Sequence, residues 1–184
     1  MWKLFQFLVI CSFISSKGLQ SMKSLITNLR NLSESVVYEI PVKGSSSHWN
    51  YYFIDIFIGE SKKKQSYLLD TSTSFFTSPC SPYSTETGEH LNNYFDVKDD
   101  NIIICDTSDC FGKCNQKKQC SFSFEDISGS SIEGIYSKQL ILFSQNEPIN
   151  NGAKIIMGCT VKETKLFYYQ KVDGILGLAN SKGK

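Results

Sequence analysis

The chain has 184 residues, enough for one domain of ordinary size and a short extension. Its formal net charge is +1 at pH 7, so no field of one sign marks it for nucleic acid or for acidic substrates. Hydrophobic residues make up 41% and aromatic residues 13% of the sequence, which is sufficient for a buried core.

The N-terminal segment has the pattern of a secretory leader. Lys3 gives a short basic start, residues 4–14 are apolar, and two small serines suited to cleavage follow. This apolar run is shorter than the roughly 20 residues that span a bilayer, and the alternatives to a leader are a signal anchor or a buried strand. We predict a signal peptide over residues 1–16 and a pro-segment or N-terminal extension over residues 17–50, with a glycosylation sequon at Asn31.

Cysteine usage agrees with export through the secretory pathway, to the endoplasmic reticulum or out of the cell. Seven cysteines are present, and Cys11 lies in the predicted leader. The other six are candidate disulfide partners: Cys80, Cys105, Cys110, Cys114, Cys120 and Cys159. The spacings within residues 105–120 are also of the order found between zinc ligands. We favour disulfides because export is predicted, and we therefore predict neither a metal nor a cofactor.

From residue 51 onward the pattern is that of a β-protein. Residues 51–59 are rich in aromatic and β-branched residues and predict a strand, which a charged turn at 60–65 joins to a returning strand at 66–69. Further strands are predicted at 101–105, 120–134, 135–143 and 154–159, and a short strand or helix at 165–170. Short strands at regular spacing predict an all-β domain over residues 51–184.

The returning strand ends on a carboxylate that small hydroxyl residues follow at once. Asp70 comes directly after two leucines and is followed by Thr71, Ser72 and Thr73. A side chain at a strand end faces a cleft, and the hydroxyl groups supply hydrogen-bond donors around it. The alternative interpretation of such an aspartate is a turn or cap residue.

A second motif lies at residues 173–178, where Gly174 and Gly177 flank an apolar pair. Glycines at such positions let two backbone segments approach closely. With both motifs present, residues 51–181 resemble the N-terminal lobe of pepsin-like aspartic proteases, and among these the cysteine-rich plasmepsin V-type subgroup. Three further strings carry the resemblance: residues 51–56, residues 76–80 with Cys80, and Met157-Gly158-Cys159 after the cysteine cluster.

The resemblance implies half of a bilobal β-protein that cleaves polypeptides. In this family each lobe supplies one aspartate to a pair that shares a proton and activates water. By position, Asp70 would be the catalytic aspartate, Thr71 would make a hydrogen bond between the lobes, and Thr73 would bond the outer oxygen of Asp70. The type member of the subgroup is an endoplasmic-reticulum endopeptidase that acts on exported proteins.

The same resemblance implies a hairpin flap that closes over the substrate. The family has a Tyr a few residues before a Gly-Ser turn, and the matching turn here is residues 128–130. The Tyr position then falls on Asp126, Gly129 lies in the turn, and Phe124 is the nearest aromatic residue. The alternative is an ordinary surface hairpin. A disulfide between Cys80 and Cys159 is also expected, whereas the pairing within the cysteine cluster stays open.

Two departures from the family pattern bear on activity. Ser72 stands where the family has Gly, and no second Asp-Thr/Ser-Gly motif occurs in these residues. One aspartate cannot form the pair, so the chain by itself is expected to be inactive. Three interpretations stay open: a fragment of an aspartic endopeptidase, a non-catalytic pepsin-like binding protein or pseudoprotease, and a secreted disulfide-stapled β domain that dimerises or mediates adhesion.

The predicted single lobe also has consequences for the binding partners of the chain. Its cleft face would be exposed apolar surface, so the isolated chain is expected to aggregate or dimerise. Contact with a membrane is expected only through an uncleaved leader or a tail after Lys184. His48 and His90 lie in predicted loops far from the motifs, which argues against a Ser/His or Cys/His nucleophilic site.

Overall fold

A computed structural model of the chain describes residues 38–179. The predicted signal peptide, the Asn31 sequon and most of the predicted pro-segment lie outside these residues. The described residues form ten strands: β1 (Lys43–Ser45), β2 (Tyr51–Ile58), β3 (Lys63–Asp70), β4 (Phe76–Ser81), β5 (Phe95–Asp96), β6 (Lys113–Cys114), β7 (Cys120–Glu125), β8 (Ser131–Leu142), β9 (Ala153–Glu163) and β10 (Gly174–Gly177). Within the described range the helical elements are α1 (Lys165–Tyr169) and two 3-10 turns, Asp99–Asn101 and Ile149–Asn151. No helix in residues 38–179 has the length and apolarity needed to cross a membrane.

The strands form one sheet that returns on itself. Their order is β1-β2-β3-β10-β4-β9-β8-β7-β6, with β5 beside β4. β2 also pairs with β8, because Phe57 lies opposite Leu142 and Ile58 opposite Ile141. The strands from β2 round to β8 therefore enclose a common interior. This architecture confirms the predicted all-β fold.

The enclosed interior is apolar. Ile54, Ile56 and Ile58 of β2 are all buried, because alternate side chains of a strand point to the same face. Tyr67 is also fully buried, and its hydroxyl shares a 2.8 Å hydrogen bond with Ser78 Oγ. The buried cluster comprises Ile54, Ile56, Ile58, Tyr67, Cys80, Phe95, Val97, Ile135, Ile141, Met157 and Cys159.

The hairpin strands differ from their predicted bounds. The sequence predicted strands at 120–134 and 135–143, but the turn lies earlier, between β7 and β8. The Asp126 carboxylate accepts hydrogen bonds from the backbone N–H groups of Ser128 and Ser130, at 2.8 and 2.9 Å, and this local turn ends β7. The predicted strand at 101–105 was also wrong, because the chain there forms a 3-10 turn and two isolated bridges, at Ile102 and Ile104.

Six cysteines form three disulfides: Cys80–Cys159, Cys105–Cys114 and Cys110–Cys120. The disulfide interpretation is confirmed, and the expected link between Cys80 and Cys159 is present. It joins β4 to β9, which pair in parallel. The other two disulfides hold the loop that precedes β7. Within the described residues no three His, Cys, Asp or Glu side chains form a cluster suited to a metal ion.

The Cys80–Cys159 disulfide is expected to stabilise the fold more than the disulfides of the loop. It joins residues 79 apart, and the entropy of closing such a loop corresponds to about 4 kcal/mol in the unfolding free energy. The Cys105–Cys114 disulfide joins residues 9 apart, which corresponds to about 2–3 kcal/mol. Urea unfolding of two double Cys→Ala variants, one for each disulfide, measures the difference, and equal losses would contradict it.

Candidate active site

Asp70 is the last residue of β3, and β10 fixes its position. The two strands run parallel with Gly177 opposite Asp70. The N–H of Leu178 donates to the Asp70 carbonyl oxygen at 2.7 Å, and the N–H of Ala179 donates to the Thr73 carbonyl oxygen at 2.9 Å. The structure therefore brings together the two motifs that are far apart in the sequence.

Glycine is required where β10 passes the Asp70 loop. A Cβ on Gly177 would lie 2.5 Å from both the Phe75 nitrogen and the Thr73 carbonyl oxygen. A Cβ on Gly174 would lie 2.1 Å from the Thr77 carbonyl oxygen. These are backbone atoms that cannot move aside without shifting a strand. Gly177 therefore allows β10 to approach the Asp70 loop closely, and Gly174 allows β10 to approach β4.

The Asp70 carboxylate is half-buried and receives hydrogen bonds from its own loop. The backbone N–H and the hydroxyl of Ser72 both donate to Oδ1, at 2.7 and 2.6 Å, and the Thr73 hydroxyl donates to Oδ2 at 2.9 Å. Burial opposes the charge, but the hydrogen bonds outweigh it and lower the pKa of Asp70. The site therefore holds an ionised carboxylate, the form in which an aspartate accepts a proton. Thr71 is exposed beside it.

The predicted flap residues lie in the turn between β7 and β8. The Asp126 carboxylate holds the turn together, because its Oδ1 accepts the Ser128 hydroxyl at 2.6 Å in addition to two backbone N–H groups. The hydrogen bonds from Ser128 are the main reason that the pKa of Asp126 is lowered. Gly129 has φ +74°, a conformation that favours glycine in a tight turn.

Aromatic side chains connect this hairpin to the Asp70 loop. The Phe75 ring centroid lies 4.7 Å from that of Phe124 on β7, and Phe124 lies 6.2 Å from Phe167 on α1. Two adjoining cavities of about 720 and 260 Å³ share four lining residues: Phe75, Phe111, Phe122 and Tyr136. The sequence analysis did not identify Phe75 or Phe167 as site residues, and no local pattern distinguishes them from ordinary core aromatics.

His90 was predicted to lie far from the motifs, and that prediction is wrong. Its Nδ1 lies 3.0 and 3.1 Å from the carbonyl oxygens of Gln170 and Val172, and its Nε2 lies 3.0 Å from a carboxylate oxygen of Glu163. All three partners accept hydrogen bonds, so the site favours the imidazolium form of His90, in which both ring nitrogens donate. The ion pair is buried, with side-chain exposures of 1% for His90 and 6% for Glu163.

Asp173, the first residue of the second motif, is a buried structural carboxylate. It accepts hydrogen bonds from the backbone N–H of Ser66 at 2.5 Å and from the backbone N–H and side-chain amide of Asn92 at 2.7 and 2.6 Å. Burial raises the pKa of Asp173, and these hydrogen bonds oppose the rise. Asp173 thus joins β3 to the loop that carries His90.

The buried ion pair predicts a pH-dependent stability. Burial disfavours the charged ring, but the hydrogen bond and charge of Glu163 outweigh this and raise the pKa of His90. Since an unfolded histidine titrates near pH 6.5, the contribution is fully present below about that pH and is lost as the pH rises through the folded value. His90→Gln should lower the unfolding free energy by about 2 kcal/mol in mild acid and by less above neutral pH.

Urea unfolding of the wild type and of His90→Gln at a series of pH values tests this. The exposed His48 provides a matched control, because His48→Gln should leave the pH dependence of stability as it is in the wild type. A loss from His90→Gln that is constant across the pH series would contradict the charged pair.

Comparisons with known proteins agree with the fold. The family model described as "Xylanase inhibitor N-terminal" matches residues 52–183. The chain is 30% identical over 166 residues to the protein named aspartic protease 5 of Toxoplasma gondii, a match covering 80% of this chain and 17% of that relative. It is 32% identical over 156 residues to plasmepsin V of Plasmodium falciparum, covering 82% of this chain and 26% of that relative.

The chain thus spans about a quarter or less of the length of these two relatives. The family model matches most of the chain, and the chain forms an all-β lobe around Asp70. Together these two observations identify the family of the chain. The chain is a member of the pepsin-like aspartic protease family and corresponds to its N-terminal lobe.

Proposed function

We propose that this chain supplies the N-terminal half of an aspartic endopeptidase, with Asp70 as one of the two catalytic carboxylates. The observation that most supports this proposal is the environment of Asp70. Its carboxylate lies at a strand end beside the glycines of β10, and hydrogen-bond donors from its own loop keep it ionised. An ionised aspartate beside a protonated one can take a proton from water as the water attacks a peptide carbonyl.

The second carboxylate would come from a second lobe. Two carboxylates about 3 Å apart share one proton, so that one acts as the acid and the other as the base. Thr71, exposed next to Asp70, would then make the hydrogen bond between the lobes. Without that lobe the chain is expected to be inactive, and its uncovered cleft face, where Leu178 is 54% exposed next to the Asp70 loop, favours self-association.

The substrate would be a polypeptide that lies between Asp70 and the hairpin of Asp126 and Gly129, acting as a flap. The cavities that share Phe75, Phe111 and Phe122 suit an apolar side chain of that polypeptide. Disulfides form in oxidising compartments, so the three disulfides support a place in the secretory pathway. The relatives that are named proteases support the same activity.

A non-catalytic pepsin-like binding protein is the second candidate. Two observations favour it: the Ser72 hydroxyl already occupies an acceptor site of Asp70, and Asp126 stands where the family flap has a Tyr. The description of the matching family model also names an inhibitor.

A cleavage assay separates the two candidates. The complete gene product, with any sequence that follows Lys184, is incubated with a peptide library at acidic and neutral pH, and the products are identified by mass spectrometry. Cleavage that pepstatin blocks supports the endopeptidase. Peptide binding without cleavage at any pH supports the binding protein and contradicts the proposed activity.

A further inference from the structure

The Ser72 hydroxyl adds a hydrogen bond to Asp70 that the family's glycine cannot make. Glycine at this position contributes only its backbone N–H. Here the N–H and the hydroxyl of Ser72 converge on one oxygen, Oδ1, at 2.7 and 2.6 Å, while Thr73 takes the other oxygen. Three donors from two consecutive residues therefore surround a carboxylate that has about four acceptor positions.

The same arrangement recurs at Asp126, where there is no candidate catalytic role for the hydroxyl. Oδ1 of Asp126 accepts the backbone N–H of Ser128 at 2.8 Å and its hydroxyl at 2.6 Å. The Asp-x-Ser sequence thus forms this contact as a local turn, independent of a substrate or a partner lobe. The turn at Asp70 is therefore an intrinsic property of the chain, and it acts there on a carboxylate proposed to be catalytic.

We propose that Ser72 is a positioning residue whose hydroxyl holds the Asp70 carboxylate in one orientation and in its ionised form. The catalytic consequence rests on the proposed function, whereas the effect on the charge of Asp70 does not. A hydroxyl that donates to a carboxylate stabilises the charged form, because protonation of that oxygen removes its capacity as a strong acceptor. Ser72 thereby assigns to Asp70 the role of base, and leaves the role of acid to the aspartate of the second lobe.

The charge effect is measured on the full chain by following the side-chain carboxyl carbon of Asp70 by NMR over a pH titration, with Asp70→Asn to assign the signal. Ser72→Ala removes the hydroxyl and should shift the midpoint for Asp70 upward. Ser72→Thr retains a hydroxyl and should restore the wild-type midpoint. Ser128→Ala removes the equivalent bond at the other turn and should shift Asp126 without shifting Asp70. An identical Asp70 midpoint in the wild type and in Ser72→Ala would overturn the proposal.

The catalytic consequence is measured on the complete protein as the pH profile of kcat/KM. On the acidic side, Ser72→Ala should lower kcat/KM roughly three- to ten-fold, the factor that one hydrogen bond is worth, and Ser72→Thr should not. Ser47→Ala, at an exposed serine between β1 and β2, should leave the profile unchanged. If Ser72→Ala raises the Asp70 midpoint as expected but the complete protein cleaves no peptide, the effect of Ser72 on the charge of Asp70 stands and the proposed activity is rejected. A uniform loss across all pH values would show a merely structural role and overturn the proposal.

Discussion

Asp70→Asn should abolish cleavage by the complete protein, with a loss in kcat of roughly a thousand-fold or more, because an amide cannot accept a proton from water. The fold should survive. The amide oxygen can still accept both donors of Ser72, and the Thr73 hydroxyl can turn to accept from the amide nitrogen, since its proton rotates. We therefore expect the unfolding free energy to change by about 1 kcal/mol or less.

The measurements are the rate of peptide cleavage and a urea unfolding curve on the same preparations. Asp109→Asn is the matched control, because Asp109 pairs with Lys138 at the surface, 2.5 Å apart, and lies in the cysteine-rich loop. It should retain activity. Cleavage by Asp70→Asn at a rate close to that of the wild type would remove Asp70 from the mechanism, while leaving the family membership of the chain intact.

Sequence reasoning succeeded where a contact is encoded in a short string. Asp70 ends its strand, the glycines of residues 174–177 indicate a close backbone approach, and the even count of cysteines after the predicted leader indicates disulfides. The Thr73 hydroxyl was expected to bond the Asp70 carboxylate, and it donates to Oδ2 at 2.9 Å. Each of these depends on residues within a few positions of one another, or on a motif known from a family.

Sequence reasoning failed where residues distant in the chain meet without a local pattern. His90 and Glu163 are 73 positions apart, and neither stands in a motif, so nothing in the sequence predicts a buried ion pair between them. The predicted bounds of the hairpin strands, 120–134 and 135–143, were wrong for a different reason. The family resemblance placed the turn at residues 128–130, but the predicted strand was carried through it to residue 134. In the structure the Asp126 side chain ends β7 by accepting hydrogen bonds from the N–H groups of Ser128 and Ser130.

Among the single substitutions, the largest effect on stability is expected from Asp173→Asn. Asp173 is fully buried, and its two oxygens face only donors: Oδ2 accepts from the Ser66 N–H and the Asn92 side-chain amide, and Oδ1 accepts from the Asn92 N–H. An amide has one oxygen, so its nitrogen must face a donor in either orientation. The buried donor left without an acceptor should lower the unfolding free energy by about 3 kcal/mol.

Urea unfolding of Asp173→Asn and of Asp106→Asn, an exposed aspartate in the cysteine-rich loop, measures this loss. The control should change the unfolding free energy by less than about 0.5 kcal/mol. A loss below 1 kcal/mol for Asp173→Asn would mean that the buried carboxylate is not held as an acceptor, and would weaken the account of how β3 is joined to the His90 loop.

The same chemical change is therefore expected to have opposite signatures at the two aspartates of the two motifs. At Asp70 two of the donors are hydroxyl groups, one of which can reverse its hydrogen bond, so the amide costs activity and little stability. At Asp173 two of the three donors are backbone N–H groups that cannot reverse, so the amide costs stability. Rotatable donors around a half-buried carboxylate suit a group that must change its protonation state, and fixed donors around a fully buried one suit a group that must not. The donor type thus separates the candidate catalytic aspartate from the structural one.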